Sequence, residues 1–154
     1  MQNKTIFQFI SEPSDVNYGG NVHGGSVMKW IDQAGYACAS LWSASYCVTV
    51  YVGGIRFYSP IKIGRFVKVE AEVIYTGKTS MHIAINVFSR NIKRKDFEKK
   101  THCISVFVAV DSEGNSVEVP KFTPKTEQEK QMEKYAIKLM DLRKQIEDEM
   151  KPFL

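Results

Sequence analysis

The chain has 154 residues, 44% of them hydrophobic and 25% charged, which suits one domain spanning 1–154 around a single core. A formal net charge of +4 is too mild to mark a nucleic-acid binder, and no apolar run approaches the roughly 20 residues that span a bilayer. Residues 1–15, MQNKTIFQFISEPSD, meet acidic residues too soon for a signal peptide, so a cytoplasmic protein with neither stable membrane insertion nor a nucleic-acid partner is expected.

Thr5 to Ile10 reads as a short strand, with Phe7 and Phe9 on one face and Gln8, flanked by Ile6 and Ile10, on the other. Both faces are expected to be largely covered. Glu12-Pro13-Ser14-Asp15 then breaks the strand.

The chain is organised around the next stretch, Ser14 to Ser40. Gly19, Gly20, Gly24 and Gly25 make a flexible run, and Val27, Trp30, Ile31, Ala34, Cys38 and Leu41 follow at helical spacing. That pattern predicts a glycine loop feeding a helix. The N-terminus of such a helix leaves backbone N–H groups unpaired where the macrodipole favours negative charge, so an oxyanion or a phosphate could sit there. Asp32 is the only carboxylate between Asp15 and Glu70 and is flanked by Trp30, Ile31, Ala34 and Gly35. A carboxylate in apolar company needs a partner or a task. Ala34, Gly35, Ala37, Cys38, Ala39 and Ser40 face nearly every direction, which predicts a helix wrapped closely by a curved sheet.

Tyr46 to Tyr58 is strand-like, with Gly53-Gly54 marking a bulge or a close backbone approach. Val67, Val69, Ala71, Val73 and Tyr75 alternate with Lys68, Glu70 and Glu72, and Ser80 to Ser89 follows the turn residues Thr76, Gly77 and Lys78. A hairpin is the simplest account. A polar, basic segment from Asn91 to Lys100 leads into a strand from Thr101 to Val110. Near 126–150, Met132, Tyr135, Leu139, Leu142 and Ile146 form one apolar stripe of a C-terminal helix. The order predicts an α+β fold in which a curved antiparallel sheet is filled by one helix, with a core of about 5–120. Cys38, Cys47 and Cys103 show no metal or disulfide spacing and read as reduced core thiols.

The run D-x-N-x-x-G-N-V-H-G-G from Asp15 to Gly25, followed by a helix carrying Asp32, resembles the hotdog-fold acyl-CoA thioesterases of the bacterial and cytosolic acyl-CoA hydrolase branch. Phe57-Tyr58-Ser59-Pro60-Ile61-Lys62-Ile63-Gly64 and Tyr75-Thr76-Gly77-Lys78-Thr79-Ser80-Met81 add to the likeness, which covers about Glu12 to Val110. The resemblance implies a homodimer with active sites at the interface, Asn17 and Asp32 of one site coming from opposite subunits, and dimers gathered into hexamers. It implies an acyl-CoA substrate. The Gly24 N–H would polarise the thioester carbonyl, Gly25 would lie beside it in the substrate site, and Asp32 would act as general base or as nucleophile. Asn17 would orient water or thioester. No metal and no cofactor would be needed, coenzyme A being part of the substrate.

Other roles stay open at this stage. His23 reads equally as a catalytic residue and as one that orders its loop, and His82 and His102 as ordinary strand positions. For the CoA phosphates the basic stretch of Arg90, Lys93, Arg94 and Lys95 competes with Gly77, Lys78 and Ser80, where the turn resembles the family motif; a solvated hairpin tip is the alternative for the former. Two other functions compete with hydrolysis: a hotdog dehydratase using His23 with Asp32, and a non-catalytic acyl-CoA-binding module.

Overall fold

The computed structural model describes residues 2–154. Strand β1 (Lys4–Ile10) leads through a 3₁₀ turn at Pro13–Asp15 to helix α1 (Gly24–Ser43). Strands β2 (Tyr46–Phe57), β3 (Phe66–Thr76), β4 (Ser80–Arg90) and β5 (Glu98–Val110) follow, and helix α2 (Glu127–Met150) comes last. The strands form one antiparallel sheet in the order β1-β3-β4-β5-β2. β2 and β1 are therefore its two free edges. Among the described residues, no helix is long and apolar enough to cross a membrane.

The inner face of the sheet grips α1. Val67, Val69, Ala71 and Val73 of β3 alternate into this core as their period-2 pattern requires, joined by Ile83, Ile85 and Val87 of β4 and Phe107 of β5. Small residues on α1 let the helix lie almost against the strands. A Cβ placed on Gly35 would stand 2.7 Å from the Phe107 ring and 3.0 Å from Ile85, so only a residue without a side chain fits there. The three cysteines are buried and free, and burial pushes the Cys38 and Cys103 thiols up to about 11.

The outer face is covered in part by α2, through Ile74, Ala84, Ile104 and Ala136 with Met132, Tyr135 and Leu139. Thr126 caps this helix by accepting from Glu129 N–H at 3.1 Å. Two expectations about the faces fail here. A register shift between Val73 and Tyr75 sends Tyr75 to the outer cluster instead of the inner one, because a bulge breaks the period of two. Ile6 and Ile10 on the outer side of β1 are 48% and 51% exposed, since the apolar contacts of α2 stop at β3, β4 and β5.

Candidate functional site

The glycine loop folds on itself. Val16 bridges Val22, and Asn17 Oδ1 accepts from Gly19 N–H at 2.9 Å and Asn21 N–H at 3.2 Å. This is an Asx turn, with the side-chain oxygen standing in for a backbone carbonyl. The Asn17 amide nitrogen donates to nothing among the described residues, so the side chain has two free N–H donors while its oxygen fixes the loop. Val22 N–H donates to Ile61 O at 2.7 Å and Asn21 bridges Lys62, tying the loop to the segment between β2 and β3.

The first turn of α1 has its donors almost fully assigned. His23 is the N-cap; its Nδ1 accepts from Gly25 N–H at 2.9 Å, and its carbonyl accepts from Ser26 and Val27. Gly25 N–H is thus committed to the protein itself. Gly24 N–H alone has no acceptor among the described residues. It stands beside the Phe57 ring, 3.8 Å from where a Cβ on Gly24 would be. One backbone donor at the positive end of the helix is left for an incoming oxygen.

Asp32 does not lie in apolar company. Trp30, Ile31, Ala34 and Gly35 turn into the core while Asp32 is exposed, because at 3.6 residues per turn neighbours in sequence point to different sides of the helix. For the same reason the helix is not enclosed all round. Leu41, assigned to the apolar stripe, is 72% exposed, and Trp42 takes its place in the core. Asp32 shares its side with Met28 and Tyr36, one turn before and after, both exposed.

The partner of Asp32 is Thr49 on β2, whose Oγ1 donates to Oδ1 at 2.7 Å. That bond orients the carboxylate and leaves Oδ2 free. Thr49 belongs to none of the motifs in the sequence, and pairing it with Asp32 requires knowing that β2 runs alongside this flank of α1. β2 is a free edge whose Tyr46, Val50 and Val52 are exposed, a long unpaired apolar edge that ordinarily gains a neighbour. Gly24 and Asp32 are eight residues apart on one straight helix, about 12 Å along its axis. Within one protomer the free N–H and the carboxylate are therefore well separated.

The basic residues separate into two groups. Arg90 and Arg94 line a cavity of about 250 Å³ with Lys62, Arg65 and Lys100, where Asp96 and Glu98 are the acids. Arg90 donates to Arg94 O at 2.7 Å, and its guanidinium lies over Phe66 at 4.6 Å. Lys100 holds Glu98 at 3.0 Å and so keeps that carboxyl below its ordinary range. Lys93 is outside the lining; its N–H donates to Asn91 Oδ1. Lys62, Arg65 and Lys100 come from separate stretches, so no basic run in the sequence announces them. The Asn21–Lys62 bridge puts this cavity next to the glycine loop.

Gly77, Lys78 and Ser80 lie elsewhere. Phe66 pairs Arg90 at one end of the β3–β4 hairpin and Thr76 pairs Met81 at the other, a separation of about 33 Å for strands of this length. Gly77 N–H donates to Ser80 O at 2.9 Å, and Lys78 makes an exposed ion pair with Glu118 at 3.6 Å. One protomer therefore cannot offer both groups to the same phosphate.

The fold is the hotdog fold, and residues 19–95 match the model of the thioesterase superfamily. The chain belongs to that superfamily. It is 31% identical over 140 residues to the protein VdlD of Helicobacter pylori, an overlap of 91% of this chain and 80% of that one. Among solved structures, an apo-hexameric acyl-CoA thioesterase has a TM-score of 0.89 at 30% identity, covering 94% of this chain and 92% of its own. The acyl-CoA hydrolase of Staphylococcus aureus, in complex with butyryl coenzyme A, coenzyme A and coenzyme A disulfide, has a TM-score of 0.90 at 26% identity, covering 99% and 93%. Structures of that enzyme also exist with an asparagine, an aspartate and a threonine each replaced by alanine, residues 15 and 17 positions apart in its sequence.

Proposed function

We propose that this protein is an acyl-CoA thioesterase that hydrolyses the thioester to a free carboxylic acid and coenzyme A. The observation that carries the reading is the Asp32 carboxylate held by Thr49 on the open flank of α1. Asn17, Asp32 and Thr49 follow one another at spacings of 15 and 17 residues, the same spacings as the three residues replaced in the Staphylococcus enzyme.

In this reading the unused Gly24 N–H polarises the thioester carbonyl and stabilises the charge that develops on its oxygen. Asp32 Oδ2 takes the proton of the attacking water, or attacks the carbonyl carbon itself. The two free N–H groups of Asn17 orient water or thioester. Because Gly24 and Asp32 are about 12 Å apart along one helix, the glycine and asparagine of one protomer work with the aspartate and threonine of a second copy. The exposed apolar edge of β2 supports such a dimer, and assembly into hexamers follows the apo-hexameric relative. The cavity lined by Lys62, Arg65, Arg90, Arg94 and Lys100, one bridge away from the glycine loop, takes CoA phosphate by charge-assisted hydrogen bonds. A cytoplasmic enzyme accords with three buried, unpaired cysteines.

Thiol release from acyl-CoA esters of increasing chain length tests the reading. The expected result is hydrolysis of at least one ester, with kcat for Asp32→Asn reduced by about 10²–10⁴ and its melting temperature unchanged. Binding of acyl-CoA without thiol release would leave a binding module instead.

A further inference from the structure

The outer face of the sheet carries a second concavity, separate from Asp32 and from the basic cavity. It measures about 170 Å³ and lies between β2, β4 and β5 on one side and α2 on the other, its walls including Ile104, Val106, Leu139, Leu142 and Ile146. Gly53 and Gly54 leave its β2 edge without side chains. A Cβ on Gly53 would run into the Tyr51 ring, and Gly54 has a φ of +68°, so glycine is what this geometry requires.

One cation stands in this apolar wall. The Arg143 guanidinium lies 4.9 Å over the Tyr51 ring, its side chain is 23% exposed, and its Nε is buried with no hydrogen-bond partner among the described residues. Glu147 approaches Nε only to 3.6 Å, too far for a hydrogen bond. Glu147 therefore supplies an ion pair but no hydrogen bond, and a buried donor on a charged group without an acceptor is costly, so a hydrogen-bond acceptor for this guanidinium is what the site lacks. His82 forms part of the same wall. Burial first, and then the Arg143 charge, hold it down to about 4, so it is neutral at physiological pH and leaves Arg143 as the single charge of the wall.

The geometry points to a second ligand site here, between the sheet and α2, for the carboxylate end of an unbranched aliphatic acid. The carboxylate meets Arg143 in place of the longer ion pair with Glu147, and the methylene chain lies against Ile104, Val106 and Leu139. The shape and charge exclude other classes. At about 170 Å³ the space falls below the 300–1,000 Å³ or so of sites for drug-sized ligands, and one guanidinium cannot neutralise a nucleotide's phosphates. An uncharged chain would leave Arg143 Nε unanswered. Beyond Ile146 the apolar surface continues over Met150 and Phe153, so a longer chain has somewhere to run. The site goes beyond the proposed hydrolysis, although its ligand is of the class that such hydrolysis releases.

The test is calorimetric titration of decanoate into the intact protein held in saturating coenzyme A, with decanol as the uncharged control. Binding is read directly, so the result does not depend on catalysis. The expected result is one decanoate per chain in the presence of coenzyme A, weakened about tenfold or more by Arg143→Gln, largely kept by Arg143→Lys, and weakened by Leu142→Glu, a change at an exposed position that puts like charge at the mouth. Decanol is expected to bind wild type more weakly than decanoate does, and to bind wild type and Arg143→Gln alike. Loss of all decanoate binding once coenzyme A is present, or equal binding by wild type, Arg143→Gln and Leu142→Glu, overturns the proposal.

Discussion

The two sides of α1 have opposite designs. On one, Ala34, Gly35, Cys38 and Ala39 are sealed against the sheet, close enough that Gly35 could not carry a side chain beside Phe107. On the other, Met28, Asp32 and Tyr36 are exposed, and Asp32 is held by one bond to an edge strand. The sealed side makes the protomer stable and needs nothing further. The open side has a carboxylate, an oriented threonine and apolar side chains, but no means of excluding water. In the proposed mechanism the exposed face of this helix is half of a site, and the other half comes from a second copy of the chain.

If that division is right, the sealed side should respond in stability and the open side in rate. The largest effect belongs to Phe107→Ala, which removes the fully buried ring packed on Gly35 and is expected to cost about 3–5 kcal/mol in denaturant unfolding. Equal stability of this variant and wild type would mean that α1 is not clamped as described.

A second effect, on the order of 3 kcal/mol, comes from pH. His82 is buried and its folded-state value is lowered from 6.5 to about 4. Below 6.5 the unfolded chain takes up a proton that the folded chain refuses until about 4, so stability present above 6.5 is lost as pH falls through this window. His82→Gln is expected to flatten that slope. His102, also lowered by burial, contributes in the same direction and keeps part of it.

The smallest effect marks the open flank. Thr49→Val deletes the 2.7 Å bond to Asp32 and is expected to lower kcat for acyl-CoA about tenfold while leaving the unfolding curve in place. A loss of stability with unchanged kcat would put Thr49 on the structural side of the division.

The sequence made much of the sealed side legible and little of the open one. Periodicity marked α1, the β3–β4 hairpin, β5 and α2, because burial on one face leaves a repeat of 3.6 or 2 in the chain. The glycine run and its helix marked the anion-ready N-terminus, the lone carboxylate on that helix marked Asp32, and the family resemblance added Asn17 and the roles of Asp32 and Gly24. Strand order leaves no such repeat. That β2 is an edge passing Asp32 follows only from the assembled sheet, so Thr49 was invisible and Asp32 looked enclosed. The bulge that turns Tyr75 outward and the joining of Lys62, Arg65 and Lys100 to Arg90 and Arg94 are likewise products of long-range pairing. His23 shows the converse: its loop-ordering role is a local bond, Nδ1 to Gly25 N–H, and was among the readings that its position before the helix allows.

The claim that the open flank is half of a site is tested most directly by mixing protomers. Asp32→Asn and Asn17→Ala chains, each inactive as a pure assembly in this account, are coexpressed with different tags and the mixed dimers isolated. Asn17 and Asp32 acting from opposite subunits give each mixed dimer one intact site, and about half the thiol-release rate of wild type is predicted. Mixed dimers as inactive as either parent would contradict the account, since that outcome requires both residues of a site to come from the same chain.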